Sequence, residues 1–149
     1  MTWQQRLEKV LRSWEGTPWM HGQCCRGRAV DCRYFICGVF DELYGIHEPL
    51  PPRLPLSTAV HNRAEAFNSL RQLMGRYPTC STKTNEPCEP GDVLIVRPVR
   101  SHVETLQHAI IVGPSGRFWH AGKGGVAYIA INHWAIAHSF RMLEKHRWV

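Results

Sequence analysis

Cys32 is the residue whose position in this sequence most favours nucleophilic chemistry. It follows Asp31 and opens an amphipathic segment whose apolar residues recur at helical spacing, namely Phe35, Ile36, Val39, Phe40 and Leu43. The N–H groups and the dipole at a helix N-terminus favour an anion, and such a position can lower a thiol pKa from ~8.5 to roughly 3.5–7.5. The sequence therefore predicts a nucleophilic thiolate at Cys32, with a small buried apolar side chain as the alternative.

Two histidines twelve positions apart supply candidates for the base that a nucleophilic cysteine needs. His108 opens the apolar run HAIIV, and His120 closes the run RFWH. The turn signal Pro114-Ser115-Gly116 predicts a hairpin that places these two strands side by side. The His120 ring could then hydrogen-bond His108 and fix which imidazole nitrogen faces the sulfur. Taken singly, each histidine also fits an ordinary surface or core position.

The segment from Trp19 to Val30 lacks periodicity and leads directly into the cysteine, so it is predicted to be a loop that lines the same cleft. Arg33 follows the cysteine, and its guanidinium group can bind a carboxylate bidentately. Asp31 stands where an N-cap belongs, because its carboxylate can accept an N–H from the first helical turn. The candidate substrate-binding residues are Trp19, His21, Asp31 and Arg33.

Three helices are predicted to position these groups. Thr2 and Gln5 form a capping-box pattern at the start of the first, which ends near Trp14. The second runs from about Cys32 to Tyr44, with Gly45 as its stop. The third follows the proline-rich stretch 47–56 and has an apolar stripe of Ala64, Phe67, Leu70, Leu73 and Met74, between Asn62 as cap and Gly75 as end.

Residues 76–90 are predicted to be a loop, and β-strands follow Gly91. The predicted strands cover residues 93–96, 109–112, 117–120, 126–131 and 139–143. Helices followed by an antiparallel sheet are typical of an α+β domain. A length of 149 residues fits one such domain, covering residues 1–149.

The composition excludes intrinsic disorder and a membrane-spanning helix. Apolar residues make up 44% of the chain, enough for a core, and no run of about 18 apolar residues occurs. The first sixteen residues lack the apolar region of a Sec signal peptide, so we expect synthesis to end in the cytoplasm. Without that signal, the six cysteines favour free thiols, metal ligands or a catalytic role over disulfides.

The formal charge of +6 favours anionic partners, among them nucleic acid, anionic lipid and bacterial cell-wall polymer. The basic residues are spread along the chain instead of forming a run, which counts against nucleic acid.

In chain order, the segments GTPWMHG, VDCRYFICGVFDELYG, PGDVLIV, HAIIVGPSGRFWHA and GGVAYI resemble the landmarks of NlpC/P60 cysteine peptidases, particularly the short phage-encoded type. The resemblance covers roughly residues 16–131. It implies a papain-like α+β fold in which Cys32 is the nucleophile, His108 the general base and His120 the polar third member. The implied substrate is a peptidoglycan stem peptide, commonly cut between γ-D-glutamate and the diamino acid.

The resemblance also implies a cofactor-free reaction and, for a short single domain, a phage-tail or lysis role, with delivery to the cell wall. Three positions depart from the family pattern. Trp19 stands where a tyrosine is frequent, Gly22-Gln23 where two glycines are usual, and Arg33 where a serine is common. These departures bear mainly on substrate preference.

Three alternatives stay open at the level of sequence. A zinc module would use Cys24, Cys25, Cys80 and Cys88 with histidines, although their spacing does not match Cys-x₂₋₄-Cys. The same fold without chemistry would serve as a cell-wall-binding or phage-tail structural component. Other thiol acyl-transfer enzymes share the cysteine and histidine, but they usually use aspartate as the third residue.

Overall fold

The computed structural model describes residues 1–46, 49–50, 70–82, 86–98, 108–131 and 134–143. Within these ranges the helices are α1 (Trp3–Trp14) and α2 (Cys32–Tyr44), and residues 70–75 are also helical. The strands are β1 (Cys24–Cys25), β2 (Ala29–Val30), β3 (Thr79–Ser81), β4 (Val93–Pro98), β5 (His108–Val112), β6 (Phe118–Gly122), β7 (Gly125–Ile129) and β8 (Trp134–Met142). A short 3₁₀ turn, Pro114–Gly116, joins β5 to β6. Helices packed with an antiparallel sheet confirm the predicted α+β class.

The ends of both helices follow the predicted capping chemistry. The Gln5 backbone N–H donates to the Thr2 hydroxyl at 3.1 Å, and the Thr2 N–H donates to the Gln5 side chain at 2.8 Å. At α2, the Tyr34 N–H donates to the Asp31 carboxylate at 2.9 Å. Gly45 ends α2 at φ 67°, in the left-handed region that favours glycine. These local contacts place Cys32 at the first residue of α2.

Six of the strands form one sheet in the order β3-β8-β4-β5-β6-β7, and every neighbouring pair is antiparallel. The predicted hairpin is confirmed, because β5 pairs with β6 through the turn at Pro114–Gly116. The pairing of β4 with β8 shifts by one residue between Ile95 and Val96, which marks a β-bulge in β8.

Two apolar clusters cover the two faces of the sheet. Alternation along β5 sends Ala109 and Ile111 toward α1 and α2, whereas Ile110 and Val112 belong to the cluster on the opposite face. The helix-side core includes Leu11, Phe35 and Trp119, each of which is fully buried. By the same alternation, His108 shares the face of Ile110.

The edge strand β7 is partly covered by the segment that leads to the predicted cleft loop. The Gly16 N–H donates to the Val126 carbonyl at 2.8 Å, and the Val126 N–H donates to the Thr17 carbonyl at 2.9 Å. Gly125 has φ 93°, and a Cβ at that position would lie 3.1 Å from the Thr17 carbonyl oxygen. This close approach favours glycine at position 125.

Two of the predicted loops contain short strands. The predicted loop 19–30 contains β1 and β2, which pair around Gly27 at φ 79°. The predicted loop 76–90 contains β3, which pairs with β8. Strands of two or three residues carry no periodic signal, so pattern alone missed them.

The predicted third helix is described only over residues 70–75, and Gly75 is its last helical residue. Its proposed cap Asn62 and the stripe residues Ala64 and Phe67 lie outside the described residues, as does most of the proline-rich stretch 47–56. Among the described helices, none has the length and apolar character needed to cross a membrane.

Candidate active site

Asp31 holds the cleft loop against the start of α2. Its side chain is buried, and its two carboxylate oxygens accept N–H bonds from Tyr34 at 2.9 Å and from Gly22 at 2.7 Å. His21 Nδ1 lies 3.9 Å from the same carboxylate. The structure therefore brings His21 and Asp31 together beside Cys32, and Asp31 acts as an N-cap and loop anchor.

His108 and His120 lie together across the hairpin, as the sequence predicts. His108 Nε2 and His120 Nδ1 are 2.8 Å apart, and the rings meet edge to face with centroids 5.0 Å apart. Because Nε2 of His108 is engaged in this bond, its Nδ1 is the nitrogen left to accept a proton from a nucleophile. That role requires the Nε2–H tautomer of His108, which donates to Nδ1 of His120.

The Cys32 sulfur lies next to β5, the strand that begins at His108, at the point where β5 and β6 separate. These strands pair only at Ile111 with Trp119 and Val112 with Phe118, although each is five residues long. The Val112 N–H points toward the β4 side, where it bonds the Asp92 carbonyl, so alternation directs the Ala109 N–H to the β6 side. There the Ala109 N–H lies close enough to the Cys32 sulfur to lower the pKa of the thiol.

Ala109 directly follows His108, so the thiol and the imidazole pair adjoin the same strand end. Among the hydrogen bonds of the described residues, none joins Cys32 to His108. Catalytic hydrogen bonds are often long in ligand-free enzymes and tighten when substrate binds. The structure thus brings the three predicted catalytic residues to one region without a direct bond from sulfur to imidazole.

The thiol of Cys32 is protonated near neutral pH in this environment. Burial, followed by the negative charge of Asp31, raises the pKa of Cys32 to about 11, although the Ala109 N–H and the Arg33 charge act in the opposite direction. The expectation of a lowered thiol pKa is therefore wrong for this structure. The helix N-terminus is present, but desolvation of the sulfur outweighs it.

The two imidazoles are neutral near neutral pH as well. Burial, and then the nearby His120, lowers the pKa of His108 to about 3. Burial also lowers the pKa of His120. The resting site therefore holds a thiol and two uncharged rings instead of a thiolate–imidazolium pair.

We expect the ultraviolet absorbance of the Cys32 thiolate to develop only as the pH approaches about 11. The measurement is the difference between titrations of the wild type and a Cys32→Ser variant, because Cys24 and Cys37 also have raised pKa values. A Cys25→Ser variant is the control that removes an exposed thiol outside the site. A Cys32 thiolate signal that persists below neutral pH would contradict this assignment.

Trp19 and Arg33 are the other two predicted substrate-binding residues, and among the described residues no hydrogen bond joins either of them to Cys32, His108 or His120. Trp19 is 39% exposed and forms an isolated parallel bridge with Val30, which places its ring on the surface of the cleft loop. Arg33 is partly buried, and its buried Nε and Nη1 atoms have no hydrogen-bond partner among the residues that the structure describes. A bidentate pair with a carboxylate would satisfy these two buried N–H groups.

Comparison with family models and with curated proteins found no match for the chain. Function therefore has to be inferred from the site itself.

The described cysteines and histidines form no ligand cluster for a metal. In the part of the chain that the structure describes, no three residues of the types His, Cys, Asp and Glu come together in a way that could hold an ion. All six cysteines are free; Cys80 and Cys88 are exposed, and the Cys24 thiol donates to the Tyr34 carbonyl at 3.3 Å. The zinc alternative therefore gains no support from the described residues.

Two residues of the site were not predicted. The Trp134 ring lies 5.6 Å from the His108 ring at an interplanar angle of 31°. A Cβ at Gly122 would lie 2.5 Å from Cε1 of His120, so the absence of a side chain there makes room for the imidazole. Glycine two residues after a strand histidine is a signal that sequence reasoning could have used.

Proposed function

We propose that this chain is a cysteine peptidase of the NlpC/P60 type, with a papain-like arrangement, that hydrolyses amide bonds in peptidoglycan stem peptides. The favoured bond joins γ-D-glutamate to the diamino acid. One observation carries the proposal. His108 and His120 are hydrogen-bonded at 2.8 Å, and the N–H of Ala109, the residue after His108, lies at the Cys32 sulfur. A nucleophile, a base and an orienting partner are the three parts that thiol acyl chemistry needs.

In the proposed reaction, the Cys32 sulfur attacks the stem-peptide carbonyl carbon while Nδ1 of His108 takes the thiol proton. The backbone N–H of Cys32, at the first helical position, has no partner within the helix and donates to the oxyanion. The C–N bond then breaks as His108 returns the proton to the leaving amine. Water attacks the resulting thioester, with His108 again as base, and releases the acid and the free thiol.

The protonation states at rest determine when the proton moves. A thiol with a pKa of about 11 and an imidazole with a pKa of about 3 do not form an ion pair by themselves. The transfer is therefore coupled to formation of the carbon–sulfur bond, when the charge of the sulfur passes to the oxyanion. His120 holds the Nε2–H tautomer of His108 throughout, since its Nδ1 accepts that hydrogen bond.

Arg33 supports recognition of an anionic stem peptide. An Arg33→Gln variant should raise KM for a substrate with a free α-carboxylate roughly 10- to 100-fold, because a charge-assisted hydrogen bond contributes about 1.5–3 kcal/mol. The same substrate with that carboxylate amidated should show a much smaller change. The measurement is steady-state kinetics on both substrates.

The control for Arg33 is Arg28→Gln, which removes an exposed arginine from the same cleft loop. Arg33→Lys keeps the charge but loses the bidentate geometry, so its KM should lie between that of the wild type and that of Arg33→Gln. Equal losses by Arg33→Gln on the carboxylate and the amide substrates would exclude carboxylate binding by this residue.

The proposal is tested by digesting purified peptidoglycan and identifying the fragments by mass spectrometry. Hydrolysis gives a free amine and a free acid at the cleaved bond, whereas acyl transfer gives a new amide or ester. Binding without any new fragment would favour the cell-wall-binding or phage-tail structural role. We place the protein with phage-encoded enzymes delivered to the wall, where its +6 charge favours an anionic polymer.

A further inference from the structure

We infer that Trp134 is a positioning residue for His108: its ring holds the imidazole plane and shields it from water. This inference rests on the proposed peptidase function. The two ring centroids lie 5.6 Å apart and the ring planes are tilted by 31°, so the indole packs against the imidazole. His120 meets the same imidazole at 90°, with ring centroids 5.0 Å apart. Two aromatic neighbours at different angles restrict rotation of the His108 ring.

The β-bulge in β8 is what turns Trp134 to this side of the sheet. On one side of the bulge, His138 pairs with Ile95, and Phe140 and Met142 pack into the helix-side core. On the other side, Ile136 pairs with Val96, which belongs to the opposite cluster.

Trp134, Ile136 and Phe140 are all even-numbered, so an unbroken strand would place them on one face. The extra residue in the pairing, Ala137, changes that alternation. Trp134 therefore packs with the second apolar cluster and reaches His108. Bulges next to active sites commonly redirect a side chain in this way.

The contact has two effects on the proposed chemistry. It keeps Nε2 of His108 on His120, so that Nδ1 is the nitrogen that takes the thiol proton in the proposed reaction. It also excludes water from the ring, and burial is the largest cause of the lowered pKa of His108.

The groups around His108 determine which of them can alter its pKa. His120 faces it from β6, and β4 presents the apolar Val96 beside it. The Cys32 thiol lies at the N–H of the next residue, Ala109. Trp134 does not titrate, so its replacement alters solvent access without removing a charge.

The test compares Trp134→Ala with Trp134→Phe by NMR titration of the histidine side chains, with the His108 signal assigned by its loss in His108→Asn. In Trp134→Ala the pKa of His108 should rise from about 3 toward the ordinary 6.5, and kcat for stem-peptide hydrolysis should fall roughly 10²-fold with little change in KM. Trp134→Phe, which retains a ring, should stay close to the wild type. The control Ile136→Ala removes an exposed side chain from the same strand and should change neither quantity.

An unchanged His108 titration in Trp134→Ala would overturn the inference. If that variant does not fold, Trp134→Leu replaces it, because leucine keeps an apolar cover but no flat ring. A Leu variant with wild-type kcat and wild-type His108 titration would equally overturn it. The titration needs no substrate, so a shifted pKa in a protein that cleaves no peptidoglycan would refute the proposed function and leave the role of Trp134 standing.

Discussion

Replacing Cys32 with alanine is expected to lower the rate of stem-peptide hydrolysis by about 10⁴- to 10⁶-fold. The remaining rate would come from substrate binding and polarisation of the substrate carbonyl alone. We expect no other thiol of the described residues to substitute for it, because Cys37 is fully buried in the core and the Cys24 thiol donates to the Tyr34 carbonyl. The measurement is release of free amine from purified peptidoglycan by wild type and variant at equal concentration. Circular dichroism checks that the fold is retained.

Two further variants make this result specific. Cys25→Ala removes an exposed thiol from the cleft loop and should leave the rate almost unchanged. The double variant Cys32→Ala with His108→Asn should be no slower than Cys32→Ala alone, because the two residues act as one unit. Fragment patterns that are the same for wild type and Cys32→Ala would refute the assignment of the nucleophile.

Replacing Arg141 with methionine should destabilise the fold by about 3–5 kcal/mol, since removing one partner leaves a buried charge unpaired. Asp92 is only 2% exposed, and its two oxygens accept from Arg141 Nε at 3.0 Å and Nη2 at 2.9 Å. Arg141 also donates to the Pro87 carbonyl at 3.0 Å and to Glu86 at 3.1 Å. The midpoint of urea unfolding measures the change.

Arg26→Met is the matched control, because it breaks an exposed ion pair with Glu42 and should shift the midpoint much less. The double variant Arg141→Met with Asp92→Asn should recover part of the lost stability, since the unpaired charge is then gone. A small effect of Arg141→Met, similar to that of the control, would show that Asp92 tolerates burial without its partner.

Local chemistry made much of this fold predictable. The capping box of Thr2 and Gln5, the N-cap Asp31 and the stop at Gly45 act within a few residues, and the structure confirms each of them. The pairing of His108 with His120 was also predictable, because a hairpin fixes which strand residues become neighbours. Fold class followed from the same local signals.

Properties that depend on packing were not predictable from local signals. The helix-end position of Cys32 is correct, but the direction of its pKa shift depends on how many atoms of α2 and β5 surround the sulfur. The place of Trp134 depends on one extra residue in the pairing of β4 with β8, and a bulge of this kind carries no residue pattern. Both follow from contacts between segments distant in sequence.

The backbone hydrogen bonds of Gly16 and Thr17 with β7 affect whether another chain can add a strand to this edge of the sheet. An uncovered edge strand is a template for adding strands from other chains, which leads to aggregation. Here Val126 already has its outward N–H and carbonyl satisfied, so only the short remainder of β7 after it is open to a foreign strand. At the other edge of the sheet, β3 is only three residues long, so it is a short template for a strand from another chain. The contact of Gly16 and Thr17 with Val126 thereby shortens the stretch of β7 to which another chain could add a strand.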